Sequence, residues 1–290
     1  MPEQIYSEFQ WDEEVIHNQA LGRFVLIRQL NSFYHRCLTF GLRTTVNSTL
    51  VMIFGSAPIL SDDLLRSYFY LRTGIEIGGP SAEFDARGIV PVYKIVSAID
   101  LVDFSHENLW RDGPPSPLTR TRDKSIFRNY FVVDATELDD LCSNCYDFVL
   151  ASMVLEHIAN PIKAIKRWKD VLKKNGILVM IVPDHRLTAD HLREVTMLSH
   201  FWQDYRNNRS EADLTHVEEV LQLYDLEIEP MVKDSKEFES MLRDNFKFRF
   251  MHHHVFSAET MRELLVSLGF KELVLTKSPP FHLVGVYVKC

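Results

Sequence analysis

Glu76, Asp100 and Asp134 each close a short apolar run, and each precedes residues that turn the chain. Strands that end this way in an open α/β sheet line one edge, where ligands bind. Three carboxylates on one edge can accept hydrogen bonds from sugar hydroxyls and amines and can offset a positive charge. The spacing narrows the choice. Asp100 follows Glu76 by about 24 residues, close to the interval at which a ribose-binding acid follows a glycine turn. Asp134, one strand further out, could accept from an adenine amino group. The turn itself reads Gly78-Gly79-Pro80-Ser81-Ala82-Glu83. Its glycines let backbone approach a ligand with no Cβ in the way. It lacks the G-x-G-x-x-G pattern of a pyrophosphate cradle, and Glu83 and Asp85 would face phosphates unfavourably. An adenosine without phosphates, carrying a cationic centre, suits this acidic mouth.

Histidines supply the second constellation. His185, His191, His200, His216, His252, His253 and His254 all follow the fifth expected strand. Imidazole titrates nearest neutrality, so such a group can supply a base, hold a substrate or ligate a metal. His185 and His191 stand nearest the strand end and are the candidate bases. His252, His253, His254, His200 and Arg193 are candidate substrate contacts. Histidines joined by Asp190, Asp204, Asp213 or Glu218 would make a metal site; structural hydrogen bonding is the third reading. No metal ligand set is assigned from the sequence.

These residues need elements to position them. Expected strands run from Thr73 to Glu76 and over residues 92–99, 130–133, 146–151 and 177–182, continuous apolar runs suited to burial on both faces. Asn160 and Pro161 begin a crossover helix with Ile162, Ile165, Trp168, Val171 and Leu172 on its apolar face, and Gly176 is its expected left-handed stop. Its Lys163, Lys166, Arg167, Lys169 and Lys173 read as a solvated face. In the 185–250 insertion, Ser210 can cap one helix bearing Leu214, Val217, Leu221 and Tyr224, and another runs over 235–242. Ser257 caps a last helix, Gly269 ends it, and 271–276 and 281–288 pair as a closing hairpin. The expected fold is a doubly wound α/β, Rossmann-like, seven-stranded mixed sheet with an antiparallel terminal hairpin. Residues 1–72 form a helical extension with Phe24, Ile27, Leu30, Tyr34 and Leu38 at helical spacing: a cap on the main domain, or a partner or homodimer arm. Residues 73–184 and 251–290 form the core, and 185–250 a substrate-choosing lid.

Here the sequence resembles the class I S-adenosylmethionine-dependent methyltransferases. Glu76-Ile77-Gly78-Gly79-Pro80 is similar to their first motif, Asp134-Ala135 to the segment beside adenine, and Tyr146-Asp147-Phe148-Val149 through Leu155-Glu156-His157 to the fourth strand and after. The resemblance implies that Glu76, Gly78, Gly79 and Pro80 hold the methionine part, Asp100 the ribose, and Asp134 and Ala135 the adenine. Ser152 and Met153 would sit near the methionine tail. Pro80 replaces the usual second glycine. Residues 101–129, with Pro114, Pro115, Pro117 and basic residues from Arg120 to Arg128, replace a plain crossover helix.

The implied enzyme transfers a methyl group to a small molecule or glycan-type precursor. A non-catalytic binding protein on this scaffold and an NAD(P)-dependent oxidoreductase are the rivals. A net charge of −8 argues against a chain-wide nucleic-acid surface. The longest apolar stretch near the start, residues 50–60, is too short to span a bilayer. The polar start and four cysteines suggest a cytoplasmic protein, with Cys142 and Cys145 as a reduced loop pair.

Overall fold

The computed structural model describes residues 32–54, 57–105, 126–139, 141–229, 232 and 234–290. Its centre is one seven-stranded sheet: β1 (Thr73–Ile77), β2 (Ala98–Asp103), β3 (Phe127–Val132), β4 (Tyr146–Ser152), β5 (Leu172–Pro183), β6 (Phe270–Ser278) and β7 (His282–Lys289). The spatial order is β3-β2-β1-β4-β5-β7-β6. The first five strands run parallel, and β7 is antiparallel to both β5 and β6. The sheet order reverses between β1 and β4, so the crevice for a ligand opens beyond their carboxyl ends.

The strands are buried on both faces. One face packs Ile75, Val149, Leu178 and Tyr287 against Trp168 and Leu264, and the other packs Leu101, Phe148 and Val179 against Phe69 and Val92. The helices are α1 (Leu42–Phe54), α2 (Asp62–Phe69), α3 (Pro161–Val171), α4 (Leu198–Arg206), α5 (Val217–Leu223), α6 (Ser235–Arg243), α7 (Asn245–Phe248) and α8 (Ala258–Ser267). Asn160 caps α3 by accepting from the Lys163 N–H at 3.1 Å. Ser257 caps α8 through the Thr260 N–H at 3.1 Å. Gly269 takes the left-handed turn after α8 at φ 76°.

Several expectations shift. The apolar run 92–97 is no strand: Val92, Tyr93 and Val96 bury as a loop beneath the sheet, and β2 begins at Ala98. α3 stops at Val171, and Asn175 rather than Gly176 takes the left-handed conformation. The basic residues of α3 do more than face solvent. Arg167 donates to the Glu137, Leu138 and Leu141 carbonyls, and Lys169 to those of Leu268 and Gly269. In the insertion α4 was not foreseen, and α5 starts at Val217 without Ser210 as its cap. Cys142 and Cys145 are joined by a disulfide.

Of the N-terminal stripe, Tyr34 and Leu38 are exposed, while Ser32 and Arg36 face inward and donate to the Ile228 carbonyl. Helical residues 32–40 thus dock on the insertion. Phe24, Ile27 and Leu30 lie outside the described residues, as do Pro114, Pro115, Pro117 and Arg120.

Candidate functional site

The carboxyl edge of the sheet starts with Glu76, which is wholly buried. Its carboxylate accepts from the Ser81 N–H at 2.9 Å and the Tyr93 hydroxyl at 2.6 Å. Burial holds this acid up at about 7 despite both bonds. The turn closes directly on it: a Cβ at Gly79 would stand 2.1 Å from Glu76 Cδ. Gly78, at φ 75°, donates its N–H to the Val102 carbonyl at 2.8 Å, pinning the turn between β1 and β2. Glu76 therefore shapes the glycine turn from beneath.

Asp100 is not at this edge. It pairs with Ile75 in mid-sheet and accepts from Arg128 at 2.9 Å, Asn129 at 2.9 Å and Tyr146 at 2.8 Å. The strand runs three residues further, and Asp103 ends it, buried, with one oxygen accepting the Phe104 N–H at 2.8 Å. Strand alternation places Asp103 on the same face as Leu101, the register partner of Glu76. The signal was present in Asp-Leu-Val-Asp; the apolar loop before it drew the expected strand too early.

Asp134 follows β3 and accepts from Thr136 N and Oγ1, both at 2.8 Å, and from Arg249 at 3.1 Å. Burial opposes its charge, but these bonds hold its pKa below the usual carboxylate value. Arg249 also meets Glu211 at 3.0 Å and lies over the Phe104 ring at 5.2 Å. No sequence signal pointed to Arg249. The Ala135 carbonyl accepts from Trp168 Nε1 at 2.9 Å. At the tip of β4, Ser152 Oγ is buried without a hydrogen-bond partner among the described residues, and Met153 takes φ 54°. Acceptors at Asp103 and Asp134, the bare glycine turn and the orphaned Ser152 hydroxyl fit a nucleoside carrying a charged amino-acid tail.

The histidines divide. His252 Nδ1 lies 2.5 Å from Asp190 Oδ2, and Arg193 donates to the other oxygen of Asp190 at 2.8 Å. Burial works against a charge on Asp190, yet His252 and Arg193 hold it down at about 2. The His252 ring stands 4.6 Å from that of His157, next to Glu156, whose two buried carboxylate oxygens have no hydrogen-bond partner among the described residues. Glu156 and His157 form the turn just after β4, so this group flanks the crevice. His200 belongs elsewhere, facing His216 at 3.2 Å. His253 and His254 are buried. His253 meets Asn245 at 3.0 Å, and burial lowers its pKa to about 3. Arg193 is buried too, bridging Asp190, Glu219 and the His252 carbonyl, which is a positioning role.

His185 follows β5, with Nδ1 3.3 Å from the Phe256 carbonyl. His191 is 3.0 Å from Asp225 and stacks edge-on with Phe40, on the side where the N-terminal helix docks. A cavity of about 200 Å³ lies at the junction of β5 and β7, lined by Asp184, Leu187, Lys277 and His282 among others. None of the histidines expected to bind substrate lines it.

A parallel sheet of this order, closed by an antiparallel pair and bearing acidic tips, is the Rossmann-like methyltransferase architecture. The chain belongs to the methyltransferase-domain family, whose sequence profile matches residues 70–275. It is an S-adenosylmethionine-dependent methyltransferase by family, which sets aside the oxidoreductase reading. Similar solved structures include a Burkholderia thailandensis 1,6-didemethyltoxoflavin-N1-methyltransferase with bound S-adenosylhomocysteine, at 14% identity and TM-score 0.45, covering 78% of this chain and 75% of that one. The N-methyltransferase NodS from Bradyrhizobium japonicum WM9 has 14% identity and TM-score 0.41, covering 78% and 90%. The PH0226 protein from Pyrococcus horikoshii OT3 has 16% identity and TM-score 0.42, covering 79% and 87%. No curated protein matches the chain. Among the described residues no helix is long and apolar enough to cross a membrane.

Proposed function

We propose that the chain methylates a small molecule or glycan-type precursor seated between the tip of β4 and the 185–250 insertion, with His252 as the base. In this reading Asp103 takes the ribose hydroxyls, and Asp134 with Ala135 frames the adenine. Gly78, Gly79 and Pro80, shaped by Glu76, receive the methionine part together with Ser152 and Met153. Bound S-adenosylmethionine supplies a methyl group on a positively charged sulfur with its own leaving group. The protein then needs to orient the acceptor, exclude water and take up one proton.

The observation that carries this reading is the contact of His252 Nδ1 with Asp190 at 2.5 Å. A carboxylate there fixes the tautomer and leaves Nε2 to receive the proton from an acceptor hydroxyl or amine. Arg193 on the same carboxylate locks the pair. His185 and His191 are weaker candidates: the first meets a backbone carbonyl and the second an acid beside the N-terminal helix.

The test uses methyl-labelled S-adenosylmethionine and a fraction of soluble small metabolites. Label should pass into a small product with the wild type and fall at least about 100-fold with His252→Asn. S-adenosylhomocysteine affinity should stay within about twofold. Equal turnover in His252→Asn and wild type would remove His252 from the role, and loss confined to His185→Asn would move it to His185.

A further inference from the structure

We propose that the insertion and the segment just after it carry a site for a zinc-type divalent cation, built from His200, Asp204, His216 and His254. His200 and Asp204 stand one turn apart on α4 and so share a face. His216 precedes α5, and His254 lies in the extended segment leading to α8. Three separate pieces of chain thus converge.

Donor atoms of His200, Asp204 and His254 lie within 4.8 Å of one another, and His216 stands against His200 as a fourth donor. His200 Nε2 is 3.2 Å from Asp204 Oδ2 and 3.2 Å from His216 Nε2, and His254 Nε2 is 3.8 Å from the same Asp204 oxygen. Ligand atoms bound at roughly 2.1 Å in a tetrahedron stand about 3.4 Å apart. Hydrogen bonding accounts for the cluster poorly. Asp204 Oδ2 is buried yet accepts no bond of ordinary geometry among the described residues. His254 Nδ1 is buried in the same condition, and its Nε2 makes only a 3.4 Å contact with the Ala159 carbonyl. Two imidazole nitrogens aimed at each other need one shared proton, whereas a cation takes both lone pairs. Arg209 Nε lies 4.0 Å from Asp204 Oδ1, close enough to pair its charge but without a hydrogen bond.

Outer partners are also in place. His216 Nδ1 lies 3.3 Å from Glu219, and Glu219 is held by Arg193 at 3.0 Å. A carboxylate behind a ligating histidine is the usual second layer of a metal site. Three imidazoles with one carboxylate select zinc over calcium or magnesium, which take oxygen donors in higher number. With four protein ligands the site is closed and structural. It would tie α4, the turn before α5 and the loop segment that carries His252, two residues from His254. This inference stands apart from the assignment of the base.

The experiment is calorimetric titration of the chelator-stripped full chain with zinc, alongside the melting temperature. The wild type should bind zinc and melt higher as zinc rises. Asp204→Asn and His216→Gln should weaken binding at least about 100-fold, and Glu219→Gln, which acts through His216, about tenfold. His252→Gln, in the separate group with Glu156 and His157, should keep the site. A thermal shift with S-adenosylhomocysteine reports whether each variant is folded. Absence of zinc binding by the wild type, wild-type affinity in folded Asp204→Asn, or loss that follows His252→Gln instead would each overturn the proposal.

Discussion

The edge formed by β1, β2 and β4 and the insertion over it are built by different means. At the edge, each polar group is set by its place at a strand end and has at least one partner close in sequence: Glu76 with Ser81, Asp103 with Phe104, Asp134 with Thr136. In the insertion the decisive pairs are distant. Asp190 meets His252 across 62 residues, and Asn245 donates to the Glu211 carbonyl across 34. A strand tip presents donors by geometry alone. The insertion's histidines meet around a small core of its own, with Val217, Val220, Phe238, Leu242 and Met251. In the proposed reading the donor side is therefore a property of the fold, and the acceptor side a property of this chain.

The largest expected break between the regions comes from Asp190→Asn. It leaves the strand tips untouched, so turnover should fall about 100- to 10,000-fold while S-adenosylhomocysteine affinity changes less than about twofold. Rates with labelled donor and calorimetry on the same sample check both halves. Gly79→Ala should do the reverse. Its methyl would stand 2.1 Å from Glu76 Cδ, so the turn must move. Donor affinity should drop more than about tenfold, with about 1–3 kcal/mol of stability lost to overpacking.

The pH dependence of stability sharpens the comparison from the edge side. Glu76 is held at about 7 by burial, against an ordinary 4.5, so the folded state favours the protonated acid. Its contribution is full below pH 4.5, declines as pH rises from 4.5 to 7, and totals about 3 kcal/mol. Denaturant melts across that window should show a slope that Glu76→Gln flattens. Binding of the cationic donor should offset the buried charge and release a proton in the same window, measurable by calorimetry in buffers of different ionisation heat. A smaller effect is expected from Arg249→Gln, which frees Asp134 and Phe104. Donor affinity should change by about two- to fivefold, since one partly buried charge-assisted bond is lost while the Thr136 bonds remain.

How far the sequence could be read follows the same division. The strand order class, the α3 and α8 caps, Gly269 and the closing hairpin were legible because each rests on local periodicity or a residue with a single conformational use. The second acid was misplaced because a buried loop, Val92 to Val96, has the same apolar composition as a buried strand. Asp100, mid-strand, is spent on Arg128, Asn129 and Tyr146. In the insertion, residue types were legible and pairings were not. Nothing local distinguishes His252, joined to Asp190, from His253, joined to Asn245. Arg193 reads as a substrate contact until burial among Asp190 and Glu219 makes it a strut. The basic residues of α3 likewise read as solvated because the carbonyls they serve lie about 30 and 100 residues away in the chain.

The most direct test of the central claim, that donor binding resides in the strand tips, is titration of S-adenosylhomocysteine into Asp103→Asn and Asp100→Asn in parallel. Asp103→Asn should weaken binding at least about tenfold, because the proposed ribose contact is lost. Asp100→Asn should lower the melting temperature and leave affinity near wild type, because its bonds are all internal. The opposite pairing, full affinity in Asp103→Asn with loss in a well-folded Asp100→Asn, would contradict the account.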